Sequence, residues 1–226
     1  MAITATGLTK AAAVATATAG AIFVAVQINH PPMTAETTET LDWAMRSTAK
    51  ALMGALAVFG LTGMYLRQHR EAGVLGLVGY VTFAVGYLMI MATEVIALTV
   101  LPVLAGTNPA YVDAVLVTAA GGTPATDIGL LEPYLALSGM LYLLGGLILA
   151  IALVRTGVLW RWASVLLGLG VLGTGALAVL PESFNRPMAV PIGLALIALG
   201  VSLWRSPAER AAGSAEPHAH AGAALS

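Results

Sequence analysis

Cysteine is absent from the 226-residue chain. Disulfides, thiolate metal sites and a cysteine nucleophile are therefore excluded. Charge is nearly as scarce: Asp, Glu, Lys and Arg together supply 9% of the residues, against about 25% in soluble domains. A soluble domain of this length could not cover its surface with so few charges. The net charge of -1 leaves no basic patch for a nucleic acid. Other chemistry is thin as well. Ser138 and Ser164 lie outside any Gly-x-Ser-x-Gly elbow, and the pair His218 and His220 in "HAH" is too small a ligand set for a metal. Gly168, Gly170, Gly173 and Gly175 follow no strand, so they permit close helix contact instead of cradling phosphate. Neither a metal nor a cofactor is expected.

What is present is apolar: 58% hydrophobic residues and a mean hydropathy of +0.88. At about 20 apolar residues per crossing, six spans emerge: Ala11 to Ile28, Lys50 to Leu66, Val74 to about Leu104, Pro133 to Val154, Val158 to Leu180, and Pro187 to Trp204. The third is too long for a perpendicular crossing and must tilt, break or emerge before Pro102. The opening run after Lys10 has a signal-peptide look, but it ends in "QINHPP" without a small-residue cleavage site, so it reads as a retained helix. The expected fold is all-α: a polytopic transmembrane helix bundle of about six spans over residues 1–205. Residues 206–226, Pro/Gly/Ala-rich and polar, read as a disordered cytoplasmic tail.

Orientation follows from Lys and Arg. With the N-terminus cytoplasmic, the inside carries Lys10, Arg67, Arg70, Arg155, Arg161, Arg205 and Arg210, and the outside Arg46, Lys50 and Arg186. That asymmetry places both termini in the cytoplasm. Trp160, Trp162 and Trp204 then fall near the cytoplasmic interface. The predicted location is a bacterial inner or plasma membrane, with membrane lipids as partners, a small apolar ligand expected, and helix–helix oligomers open. "YLRQHREAGVLGLVGY" and "IALVRTGVLWRWASVL" share an order of apolar helix, basic turn, Gly-Val-Leu and apolar helix. The second and third helices are thus expected to form a hairpin like that of the fourth and fifth.

The motifs "QINHPP", "GVLGLVGY", "GGTPATDIGL" and "VLPESFNRP" give the chain its resemblance to the small six-helix membrane proteins of actinobacteria. These carry no assigned activity. The resemblance implies fold and location, and transfers no site residue.

Ionisable residues within a membrane are costly and are functional-site hypotheses by default. Glu94 lies ~30 Å along the helix from Val74, in the outer part of the membrane, and shares a face with Tyr80 and Tyr87 through spacings of seven. The alternative is an interfacial carboxylate with tyrosines packing helix to helix. In the fourth helix, Tyr134, Ser138 and Tyr142 form a polar stripe that must face protein or a cavity. Glu132 beside Pro133 suits a helix N-terminus, which leaves Asp127 to the preceding loop. Gln27, Asn29 and His30 emerge on the same side as Glu94, Asp127, Glu132 and Arg186. Ligand-binding candidates are therefore Glu94, His30, Asn29, Gln27, Tyr87, Asp127, Glu132, Tyr134 and Arg186. Three functions fit: binding or transport of a lipid or small apolar molecule through a pocket opening outward; an acid–base enzyme acting on a lipid or isoprenoid; and an accessory subunit whose polar stripes meet another protein.

Overall fold

A computed structural model of the chain describes residues 4–176 and 185–206, with backbone alone at 176, 185 and 186. All secondary structure among the described residues is helical: α1 (Ala5–Ala25), α2 (Ala35–Thr38), α3 (Leu41–Thr99), α4 (Leu101–Ala105), α5 (Pro109–Ala119), α6 (Leu131–Thr156), α7 (Arg161–Ala176) and α8 (Asn185–Arg205). Four of these, α1, α3, α6 and α8, are long and apolar enough to cross a membrane.

The 59-residue α3 is two arms. Backbone angles leave the helical region at Gln68 and Gly73, and the chain folds back on itself. Gly73 adopts φ 55°, ψ -149°, a conformation that a side chain strongly disfavours. The arms then run antiparallel: Tyr80 stacks on Tyr65 with ring centroids 5.0 Å apart, and its hydroxyl lies 2.9 Å from Thr62 Oγ1. Buried Gln68 ties the reversal to α6, donating to the Met64 carbonyl and accepting from Thr156 Oγ1. The α3 arms, α6 and α7 thus form the two expected hairpins.

Every other neighbouring pair is also antiparallel. The first α3 arm meets α1 where Gly60 faces Thr16 and Gly63 faces Ala12. Gly79 of the second arm lies against Leu149 of α6, and Gly86 against Tyr142. Then α7 packs on α6 at Gly168 and Ala150, α8 on α7 at Ile192 and Gly170, and α1 on α8 at Ala13 and Gly200. Six helical arms therefore close into an up-down ring. Its interior holds large apolar side chains such as Leu61, Phe83, Leu149, Leu167 and Leu199, while small residues let backbones approach, as membrane helices favour. Outward faces carry Val14, Leu52, Phe59, Val81, Leu144, Ile151, Leu169 and Leu194, all exposed. Arms apolar both inside and outside need lipid around them.

Several boundaries differ from expectation, each for a physical reason. The first helix ends at Ala25 and not at Ile28, because Asn29 turns to positive φ (49°), a common way to stop a helix. The second begins at Leu41, not Lys50: Thr40 caps it by accepting from the Trp43 amide, and hydropathy trims such polar first turns. The third stops at Thr99, and α4 carries the chain through Pro102. The long segment after it, expected as loop, contains α5, started by Asn108 and Pro109. The far limit of the fifth span, the "PESF" stretch and the 207–226 tail with His218 and His220 lie outside the described residues.

Charge separates along the ring. Lys10, Arg67, Arg70, Arg155, Arg161 and Arg205 sit toward one end, with Glu71 the acid there among the described residues. Seven acids, Glu36, Glu39, Asp42, Glu94, Asp113, Asp127 and Glu132, occupy the other, with Arg46 and Lys50.

Candidate functional site

At the acidic end, α2, α4 and α5 fold over the ring as a cap with its own apolar core, including Ala35, Leu101, Val112, Val115 and Ile128. Asp113 on α5 fastens it by accepting from the Ala35 amide at 2.7 Å, at the N-terminus of α2. Trp43 lies where cap and ring meet, 3% exposed, and its indole N–H donates to the Ala97 carbonyl at 2.9 Å. That bond pins the first arm of α3 to the end of the second.

About two turns further along α3 from Trp43, Lys50 pairs with Glu94. Nζ to Oε1 is 3.3 Å, and each side chain is 15% exposed. The Lys50 ammonium also stands 5.9 Å from the centre of the Trp43 ring, a cation–π distance. His30 also meets the Trp43 indole, edge-on, with centroids 6.4 Å apart. His30 Nδ1 donates to the Pro31 carbonyl at 2.8 Å. A connected series His30, Trp43, Lys50, Glu94 thus lines the seam between ring and cap.

Arg46 explains the polar ending of α1. Its guanidinium donates to the carbonyls of Val26 (2.9 Å), Ile28 (3.0 Å) and Asn29 (3.2 Å), and to Asp42 Oδ2 at 2.8 Å. The last carbonyls of a helix have no partner within it, and a cation there also complements the helix dipole. Gln27 is half-buried in the same turn, and Asn29 contributes its backbone.

The remaining candidates are dispersed. Tyr87 is fully buried in the ring interior, ~10 Å along the helix from Glu94, in a trio with Phe83 and Tyr142 whose centroids are 4.9 to 5.2 Å apart. Neither tyrosine hydroxyl of that trio has a hydrogen-bond partner among the described residues. Tyr134 joins helices, donating to the Met89 carbonyl at 2.8 Å. Asp127 is exposed and closes a loop by accepting from the Gly129 amide at 2.7 Å. Glu132, also exposed, stands in the first turn of α6. The side chain of Arg186 lies outside the described residues. The structure thus brings His30 and Glu94 into one seam and places Tyr87, Tyr134, Asp127 and Glu132 elsewhere.

Sequence reasoning missed Trp43, Arg46 and Lys50 as members of this site. Their signal was the capping pattern "TLDW": a helix starting at Thr40 puts Trp43 and Lys50, seven apart, on one face. Among the described residues no group of three or more His, Asp or Glu is placed to hold a metal ion. Compared with known proteins, the chain matches no family model, no curated protein and no solved structure, so the seam's own geometry carries the functional reading.

Proposed function

We infer that this is a six-crossing membrane protein with both termini cytoplasmic, and that it binds a lipid or other small apolar molecule at its outer end. In this reading α3 crosses twice and α1, α6, α7 and α8 once each. The charge separation supports the orientation, since basic residues gather on the cytoplasmic side of membrane proteins. Arg46 and Lys50, which break that rule in the sequence, are held by Asp42 and by Glu94. The resemblance of "QINHPP", "GVLGLVGY", "GGTPATDIGL" and "VLPESFNRP" to motifs of actinobacterial six-helix proteins makes kinship with them part of the same proposal.

The observation that carries the binding reading is the Lys50–Glu94 pair. Ions this far from water are costly unless paired, and this pair sits against an indole at the rim of an apolar bundle. Such a place suits the polar end of an otherwise apolar molecule: the ammonium meets an acidic or carbonyl group, the carboxylate a hydroxyl, and the aromatic wall the adjoining methylenes. Binding is favoured over acid–base catalysis because Glu94 is committed to a cation and His30 Nδ1 to a carbonyl. It is favoured over passage through the ring because large side chains fill the interior.

The test is mass spectrometry of molecules that co-purify in mild detergent with wild type and with Glu94→Gln. One distinct apolar compound, retained by the wild type and depleted at least about tenfold in the variant, is the expected result; a loss of 1.4 kcal/mol is sufficient for that. The same compound bound but chemically altered by wild type alone would instead establish an enzyme. Identical bulk lipid in both samples would refute a site at Glu94.

A further inference from the structure

The seam is closed. Lys50 and Glu94 are each 15% exposed and Trp43 3%, so a molecule reaches the ammonium, the carboxylate and the indole together only if something over them moves. Trp43 is held in place, because its bond to the Ala97 carbonyl ties it to the second α3 arm. The cap is held less firmly.

Two halves make up the cap, and they reach the ring from different sides. One half, α2, sits between α1 and the first α3 arm, and Arg46 fixes its approach by holding the Val26, Ile28 and Asn29 carbonyls. The other, α4 with α5, hangs between the second α3 arm and α6. At its near end Pro102 lacks the amide that would continue the helix ladder. At its far end the 120–130 link is mostly exposed and turns at Gly121 (φ 89°) and Gly129 (φ 63°), conformations open mainly to glycine. Such points absorb hinge rotations. Among the described residues a single hydrogen bond joins the two halves, from the Ala35 amide to Asp113 Oδ1. The apolar residues of the cap also cluster apart from those of the ring interior. The halves can therefore part while the ring core stays packed.

We propose that α4 and α5 form a lid over the seam, latched to α2 by Asp113, and that this lid opens as a unit to admit the polar end of the apolar ligand. The proposal rests on the binding reading of the outer end. Asp113 is exposed, so water takes over its hydrogen bond when the latch releases. The larger cost is the loss of the apolar contacts of Val112, Val115 and Leu116. Methylenes of the entering molecule replace part of those contacts, which couples opening to an apolar ligand.

The lack of cysteine lets one introduced thiol report the opening. Val115 is 2% exposed within the cap core, and the rate at which Val115→Cys in the purified full chain reacts with a maleimide tracks the open fraction when reclosing is fast. It should react far more slowly than Glu39→Cys, at an exposed position. Asp113→Ala is expected to raise the Val115→Cys rate about tenfold. Asp113→Asn, which keeps an acceptor oxygen, should raise it less, and neither should change the rate of Ala195→Cys, buried in the ring interior. Labelling of Val115→Cys as fast as that of Glu39→Cys, no response to Asp113→Ala, or an equal response at Ala195→Cys would each overturn the lid.

A second measurement ties the lid to the site. The probe is stearate brominated in mid-chain, which quenches Trp43 in a chain carrying Phe in place of Trp160, Trp162 and Trp204. A Cβ on Gly106 would lie 3.9 Å from Glu39 Oε1, so Glu39→Cys with Gly106→Cys can be bridged across the two halves by a short bis-methanethiosulfonate. The bridge should slow quenching at least about tenfold, and its reduction should restore the rate. Quenching unchanged by the bridge would overturn the lid as the way in. No quenching in the unbridged chain, beside latch-dependent labelling, would refute the binding reading and uphold the lid.

Discussion

Lys50→Met is expected to destabilise the protein by about 3 kcal/mol, and Glu94→Gln by a similar amount, while the double variant recovers more than half of the summed loss. The reasoning is asymmetric desolvation. With both charges present the attraction offsets the cost of removing them from water; with one removed, the other keeps its cost and loses that partner, a loss of about 3–5 kcal/mol for fully buried pairs. Exposure of 15% on each side chain places this pair at the lower end. Thermal unfolding in one detergent, followed by tryptophan fluorescence, gives the double-mutant cycle. Additive losses would mean that the pair contributes no coupling, and the seam would lose its anchor.

The second large effect is steric. A Cβ on Gly86 would stand 2.8 Å from the Tyr142 amide nitrogen and 2.9 Å from its Cα. Backbone cannot move aside as a side chain can, so Gly86→Leu must push the second α3 arm away from α6. Overpacking of this kind costs about 1–3 kcal/mol, and here it also breaks the Phe83, Tyr87 and Tyr142 contacts. The expected loss is about 3 kcal/mol or failure to insert. Gly139→Ala on α6 is the matched control: nothing lies within 4 Å of a Cβ there. It should be neutral or slightly stabilising, because alanine favours the helix by up to about 1 kcal/mol. Equal effects of the two substitutions would contradict the close α3–α6 packing.

How far the sequence disclosed this structure depends on the kind of signal. Long apolar runs marked all six arms, and the basic turn "RQHREAG" marked the reversal of α3. Helix starts were less legible, since the polar first turn around Asp42 and Arg46 looks like loop to any hydropathy average. The α5 helix was hidden similarly: it is 11 residues long, too short for a span, and its apolar face packs into the cap's own core. Within the site, Glu94 announced itself as a rare membrane carboxylate, whereas its partner did not. Lys50 reads as an interfacial charge until α3 folds back and carries Glu94 beside it. Arg46 looked like an exception to the charge rule until its guanidinium was found on the carbonyls closing α1. Long-range pairings of that kind arise from the hairpin and ring, and no local pattern encodes them.

Both functional proposals rest on a chain embedded in a membrane, and the outer-end site also requires the acidic end to face outward. The absence of cysteine makes the direct test simple, because any introduced thiol stands alone. Glu39→Cys and Thr123→Cys at the acidic end, and His69→Cys and Arg161→Cys at the basic end, replace exposed residues. With a membrane-impermeant maleimide, the first two should be labelled on intact cells and the last two only after permeabilisation. Labelling of His69→Cys together with Glu39→Cys on intact cells would contradict the account, since α3 would then not carry its tip across the membrane.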